Sequence, residues 1–355
     1  MSMSTARTYP LNAWYVIARS VEVGDELLAR KAAGEHLVLY RTSAGEPVAL
    51  ADRCSHRQFP LSQGQRVGDE IQCSYHGLRF DSCGTCTWVP GQDRIPSRAN
   101  VPNRPLVERG AWIWVWMGHP AHPDHDRLPA TPWFTDPEWA SVDGLEPLAA
   151  HYGLLIDNLL DLSHETFLHA GFIGTPEVAE TPINTSTSTT TSGRPIVHVS
   201  RHMSGVDCPP FYAESTGLQS PIDRWQDIDY HAPGYYQLNV RVAPEGSEPD
   251  ADGSDPEAAH VVVLYAITPV DEHNTLDFWA VCRNFGVGNA ETDAFLTSMN
   301  RTVVLQDVAA LDLLHRRLVE ARTDGTDTGE VSFKIDTGGL AARRVLADLT
   351  SADVA

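Results

Sequence analysis

Two short segments limit what this chain can fold into more than any other part of it. Cys54-Ser55-His56 and Cys73-Ser74-Tyr75-His76 each carry one thiol and one imidazole, with residues 57–72 between them. Two thiolates and two imidazoles on paired turns can hold a [2Fe–2S] cluster of Rieske type, where two histidines replace two cysteines on one iron and raise its potential. Structural Cys2His2 zinc usually draws both cysteines from one pair and both histidines from the other. Here each pair holds one of each, which favours the cluster. The flanks agree: Pro60 follows the first pair, Gly64 and Gly68 lie between the pairs, and Gly77 and Phe80 follow the second. Cys83-Gly84-Thr85-Cys86 also has Cys-x-x-Cys spacing. It stands in a hairpin turn opened by Asp81-Ser82, so it reads as a turn cysteine beside a strand cysteine rather than a second metal site.

At 355 residues the chain is long enough for two domains and a sizeable core. Its 26 basic and 47 acidic residues give a formal charge of −21, which argues against nucleic acid or an anionic membrane as partner. No stretch approaches the roughly 18 apolar residues of a membrane span. Met1 to Leu11 shows no apolar run or cleavage pattern of a signal peptide. Six cysteines, two of them candidate iron ligands, form no disulfide framework, and a reducing cytoplasm is expected.

Residues 12–120 read as short strands. Residues 36–41 and 47–51 flank a turn at Ser43-Ala44-Gly45, and Ala111 to Trp116 alternates strongly. A Pro/His/Asp-rich linker follows, from Gly118 to Pro132. The expected division is an all-β cluster domain over 1–120 and a mixed α+β domain over 121–355. In the second, Tyr152 to Ala170 has helical character. Strands are expected at 185–192, 196–203, 235–243, 260–267 and 276–283, with a turn at Ser192-Gly193 and a mobile acidic loop over 248–257. Ala290 to Ala321 has the period of a long helix with Leu296, Met299, Val303, Val304, Val308, Leu311 and Leu314 on one broad face.

Asn158, Asp161, His164 and His169 crowd the 152–170 segment. Non-haem Fe(II) oxygenases bind iron through two histidines and one carboxylate, leaving positions open. On a regular helix, residues five apart point about 140° apart. His164 and His169 share a metal if the helix widens to an i+5 bulge or if both side chains reach across one cleft. A cluster upstream makes an iron acceptor the more reasonable use of these histidines. The third ligand must come from elsewhere: Asp307, Asp312 and Asp293 all lie on the long helix, and pattern alone does not choose among them.

The quartet together with Asp161-x-x-His164-x-x-x-x-His169 resembles the α-subunits of Rieske non-haem iron oxygenases, over nearly the whole chain. Within that family several segments look like the oxygenase components of vanillate O-demethylases: residues 12–16, 156–166, 201–203, 223–226, 283–285, 335–339 and 343–346. Dicamba monooxygenase is a more distant relative of the same shape. The resemblance implies an N-terminal all-β Rieske domain and a C-terminal helix-grip-like antiparallel sheet domain whose helices carry mononuclear iron.

It also implies roles. Cys54 and Cys73 would bind one cluster iron and His56 and His76 the other. His164, His169 and Asp307 would bind mononuclear Fe(II), with Asn158 close by. Gln306 stands where the family usually has an acidic residue before that aspartate, so Asp312 stays in reserve. Asp161 would be the carboxylate that links a cluster histidine to an iron histidine, across subunits of a head-to-tail homotrimer. NADH would act through a separate reductase carrying flavin and a [2Fe–2S] centre. The implied chemistry is O2-dependent hydroxylation of an O-methyl carbon, whose hemiacetal product falls apart to a phenol and formaldehyde. A methoxylated aromatic acid such as vanillate would need an apolar slot and a cation or hydrogen-bond donors. Arg201, His202, Arg224, Arg241, Tyr265 and Met299 are candidates. The alternatives are N-demethylation, aryl-methyl or ring hydroxylation by the same machinery, or a Rieske electron carrier without catalytic iron.

Overall fold

The alternating Trp112–Trp116 run is a strand, and all five of its side chains are buried. It pairs antiparallel with Trp14–Arg19 on one side and Leu106–Arg109 on the other. A second antiparallel sheet joins Leu28–Ala32, Glu35–Arg41 and Pro47–Ala51. A third runs as a meander through Gln65–Val67, Glu70–Gln72, Arg79–Phe80 and Cys86–Trp88. A core of Val38, Tyr40, Leu50, Leu61, Ile71 and Phe80 packs against the two buried cysteines of the quartet.

The computed structural model describes residues 9–191, 193–247 and 257–353. Ser192 and the expected acidic loop, apart from Glu257, lie outside them. The chain divides into two units at Leu128/Pro129 rather than at 120, with Tyr9 and Pro10 in the second. The Pro/His/Asp-rich stretch as far as Leu128 therefore closes the first unit: the Trp14 indole donates to the carbonyl of Asp124, and Arg127 to that of Asn12.

The second unit is built on one seven-stranded antiparallel sheet. In spatial order its strands are Ala140–Leu148, Thr275–Arg283, Ala259–Pro269, Tyr235–Pro244, Ile222–His231, Pro195–Val206 and Asn184–Thr189. Among the described residues six α-helices accompany it: α1 (Tyr152–Leu160), α2 (Glu165–Leu168), α3 (Pro176–Glu180), α4 (Pro210–Thr216), α5 (Ala290–Thr323) and α6 (Thr337–Ala352). On α5 the buried positions are Leu296, Asn300, Val303, Val304, Asp307, Leu311 and His315, one stripe at three- and four-residue spacing. This stripe faces the sheet and carries Asp307 inward. Leu314, expected on that face, is 42% exposed.

Candidate iron centres

The two metal turns of the first unit are near copies of one another. The Cys54 N–H donates to the Phe59 carbonyl and the Cys73 N–H to that of Leu78, both at 2.8 Å. In return Gln58 N–H donates to Cys54 and Gly77 N–H to Cys73, both at 2.9 Å. Closing such a loop requires left-handed backbone at its end, found at Gln58 (φ 59°) and Gly77 (φ 81°). The turns bury both cysteines and leave both histidines at the surface, with ring centroids 4.5 Å apart. Burial, with Cys73 alongside, pushes the Cys54 thiol up to about 11. A thiolate there needs a cationic partner, which the iron of a cluster supplies. Cys83 is exposed and Cys86 buried. The carboxylate of Asp81 accepts from the N–H groups of Cys83 and Thr85, as a turn requires.

In the second unit the expected helix over 152–170 is three pieces. α1 ends at Leu160 because Asp161 is extended (φ −124°, ψ 94°) and turns its carboxylate back to accept from Ser163 N–H. A 3-10 turn over Leu162–His164 and the short α2 then bring His164 and His169 together, with ring centroids 5.0 Å apart. No i+5 bulge is needed, because the break at Asp161 resets the direction of the chain. Gly174 closes the far side of this turn: a Cβ there would stand 1.8 Å from the Glu165 carbonyl oxygen.

Asp307 comes from α5 to complete the group. Its Oδ1 lies 3.2 Å from His169 Nε2 and 3.5 Å from His164 Nε2, and Asn158 Nδ2 donates to it at 3.0 Å. The three ligand atoms all lie within 4.8 Å of one another. The other two aspartates of α5 are engaged elsewhere: Asp312 accepts from Ala149 N–H and Asp293 pairs with Arg283.

The far nitrogens of both rings are fixed. His164 Nδ1 lies 2.6 Å from the Asp161 carbonyl, which can only accept, so the proton sits on Nδ1 and the Nε2 lone pair faces Asp307. His169 Nδ1 lies 2.8 Å from Gln306 Oε1, with the same result. With Nδ1 carrying the proton, the buried His169 Nε2 lone pair faces Asp307 Oδ1 and meets no hydrogen-bond donor, as expected of an atom that would bind a metal. Burial opposes a charge on His169, but Asp307 and Gln306 outweigh it and raise the pKa. Two imidazoles and one carboxylate on one side of a small cavity fit the facial triad of Fe(II) oxygenases.

The cavity, about 50 Å3, is walled by Leu159, Leu162, Ile173, Phe211, Leu238 and Val263, with Tyr236, Tyr265 and Asn300 as polar members. Arg224 and Glu165 form a buried ion pair at 3.0 Å along its wall, and Gln226 donates to the same carboxylate. Of the substrate candidates, Tyr265 and Arg224 line this cavity. Met299 is half-buried on α5, off its lining. Arg201 points to the same face of the sheet but donates to the carbonyl of Thr181. Arg241 and His202 lie on the opposite face, where Arg241 pairs with Asp227 and His202 stacks on Trp225. Strand parity explains this: Arg241 registers with Trp225, while its neighbour Val240 registers with inward Gln226. Sequence reasoning missed Asn300, although it precedes Asp307 by two helical turns on the same face of α5.

Asp161 and His164 also face a second cavity of about 280 Å3, with Asn158, Leu311, Leu314, Val331 and Arg343 on its walls. No helix among the described residues is long and apolar enough to cross a membrane.

A two-turn cluster domain and a sheet–helix domain with a 2-His-1-carboxylate site together define the oxygenase component of a Rieske monooxygenase. Residues 13–99 match the Rieske [2Fe–2S] domain model, and 148–352 match the vanillate O-demethylase oxygenase C-terminal domain. The chain is 33% identical to the vanillate O-demethylase oxygenase subunit of Pseudomonas sp. (strain HR199 / DSM 7063), covering 97% of this chain and 96% of that one. It is equally identical to the toluene-4-sulfonate monooxygenase system iron-sulfur subunit of Comamonas testosteroni, over 77% and 79%. The crystal structure of dicamba monooxygenase with non-heme iron and dicamba matches with a TM-score of 0.82 at 29% identity, over 98% of this chain and 99% of that one. The chain belongs to the vanillate O-demethylase oxygenase family and uses a [2Fe–2S] cluster and mononuclear iron.

Proposed function

We propose that this oxygenase removes the O-methyl group of a methoxylated aromatic acid such as vanillate, releasing formaldehyde. NADH feeds it through a separate flavin and [2Fe–2S] reductase in the cytoplasm. The observation that supports the reading is the mostly apolar cavity beside the His164–His169–Asp307 group. The cluster relays single electrons, and the mononuclear iron supplies O2 activation at the substrate carbon.

The chain's own residues do the rest. Cys54, His56, Cys73 and His76 hold the cluster, with both histidines at the surface, where a partner reaches them. Asp161 and His164 form the inlet: the Asp161 carbonyl fixes the His164 ring, and both residues line the larger cavity. In the proposed homotrimer, Asp161 and His164 would receive the electron that a cluster held by a neighbouring subunit would supply. Asn158 orients the Asp307 carboxylate, and Gln306 orients His169. The apolar wall holds the ring and keeps water from the reacting methyl.

The likeness to the toluene-4-sulfonate monooxygenase subunit favours a second reading, hydroxylation of an aryl methyl group. One experiment separates the two. Protein reduced through a surrogate reductase is offered a panel of methoxybenzoates and methylbenzoates. O-demethylation predicts formaldehyde and a phenol in equal amounts. Benzylic alcohols without formaldehyde would reject it.

A further inference from the structure

The cavity beside His164, His169 and Asp307 has a polar wall that the iron chemistry does not use. Asn300 is 5% exposed and Tyr236 1% exposed, and neither Asn300 Nδ2 nor the Tyr236 hydroxyl has a hydrogen-bond partner. Both line the cavity with Asp307. Buried donors are nearly always satisfied, so two left open among the lining residues of one cavity call for an acceptor from a ligand. Tyr236 registers with Tyr265 on the adjacent strand, their rings 5.7 Å apart. Burial holds both phenols well above their ordinary pKa, so they are donors at any working pH.

The charge on this wall is equally informative. Arg224, the one guanidinium on the lining, is already paired with Glu165 at 3.0 Å, and both are almost fully buried. Behind Tyr265, on the next strand and the same face, lies Asp277, 2% exposed and with Oδ1 unpartnered. The charged groups acting on Asp277 are Asp307 and Glu146, both acidic. Apart from the iron that His164, His169 and Asp307 would hold, the lining at this end therefore carries no cation whose charge is not already offset by an acid. A carboxylate set against this wall, away from the metal ligands, would be desolvated without a counter-charge on the lining.

We infer that Asn300 and Tyr236 determine specificity by donating hydrogen bonds to an uncharged ring oxygen of the substrate, a phenol or ether oxygen. The inference rests on the aromatic-oxygenase reading above and narrows it: a carboxylate on the substrate contributes nothing at this wall. An aromatic acid and its ester bind alike, and a ring without oxygens binds worse.

Iron-loaded protein of known metal content is titrated by calorimetry with vanillate, its methyl ester and 3,4-dimethylbenzoate. The ester should bind within about threefold of the acid, and the dimethyl compound about tenfold more weakly or worse. Tyr236→Phe and Asn300→Leu should each weaken both oxygenated ligands by about three- to tenfold and leave the dimethyl compound unaffected. In turnover the same factor should appear in KM, with kcat little changed. Neither the Tyr236 hydroxyl nor Asn300 Nδ2 has a partner within the protein, so both variants should melt no lower than the parent, which separates recognition from misfolding. An acid that binds more than tenfold tighter than its ester would overturn the inference, as would unchanged affinities in both variants. Formaldehyde keeps the two readings apart. Binding with the expected preferences but no formaldehyde sinks O-demethylation alone. Formaldehyde with variant affinities unchanged sinks this inference alone.

Discussion

At the residue scale the mononuclear site depends on atoms that do not touch the metal. Gln306 reads in the sequence as a departure from an acidic residue, yet it is the group that fixes the His169 ring. Gln306→Leu should lower iron affinity at this site by about 10- to 100-fold, the usual cost of losing a partner behind a metal-bound histidine. Gln306→Glu should retain it. Chelator competition monitored by iron analysis reads this directly, and equal affinity in the Leu variant would refute the role. Asp161 poses the complementary test. Its carbonyl positions His164 whatever its side chain, so Asp161→Asn should keep both the cluster spectrum and the full iron content. It should slow reoxidation of the cluster by the mononuclear site by orders of magnitude in single-turnover stopped flow. Unchanged reoxidation would remove Asp161 from the electron path.

At the element scale the break after α1 assembles the site. Sequence periodicity showed a helix over 152–170 and placed all four polar residues in it, but not the extended Asp161, which is set by its own carboxylate capping Ser163. Strands 140–148 and 222–231 were also hidden. The first carries Asp143, Gly144, Glu146 and Pro147 at a sheet edge, where proline is tolerated. The second points Arg224 and Gln226 inward, where the sequence pattern calls for apolar side chains; Glu165, from α2, and the Ile173 carbonyl make that burial tolerable. α6 opens on Thr337-Gly338-Gly339 and was missed as a helix for that reason. His151 gives this scale a pH test. It is the N-cap of α1, accepting from Gly153 N–H. Burial, then the positive neighbours His315, Arg322 and His273, lower its pKa from 6.5 to about 4. Below pH 6.5 the unfolded chain takes up a proton that the folded chain refuses. The stability contribution is thus present above 6.5 and lost as the pH falls toward about 4. Denaturation midpoints should fall over that window, and His151→Asn, which still accepts from Gly153, should flatten the fall. An unchanged slope in that variant would contradict the assignment.

At the scale of the whole molecule the chain joins two chemistries that its sequence announces unequally. The candidate cluster site is almost fully legible, because its four proposed ligands stand in two short turns and the turns fix their own geometry. The mononuclear site is only half legible, because its carboxylate arrives from a helix more than a hundred residues away and is selected by the α5 stripe facing the sheet. The residues of the cavity wall are the least legible: strand parity sends Arg241 and His202 to the face away from this cavity. The central claim is that one chain holds both iron centres, and iron content tests it most directly. Anaerobically purified protein should contain about three irons per chain: two in the cluster and one on His164, His169 and Asp307. Asp307→Ala should drop this to about two with the cluster spectrum intact. A parent protein with only two irons, both in the cluster after iron reconstitution, would contradict the claim.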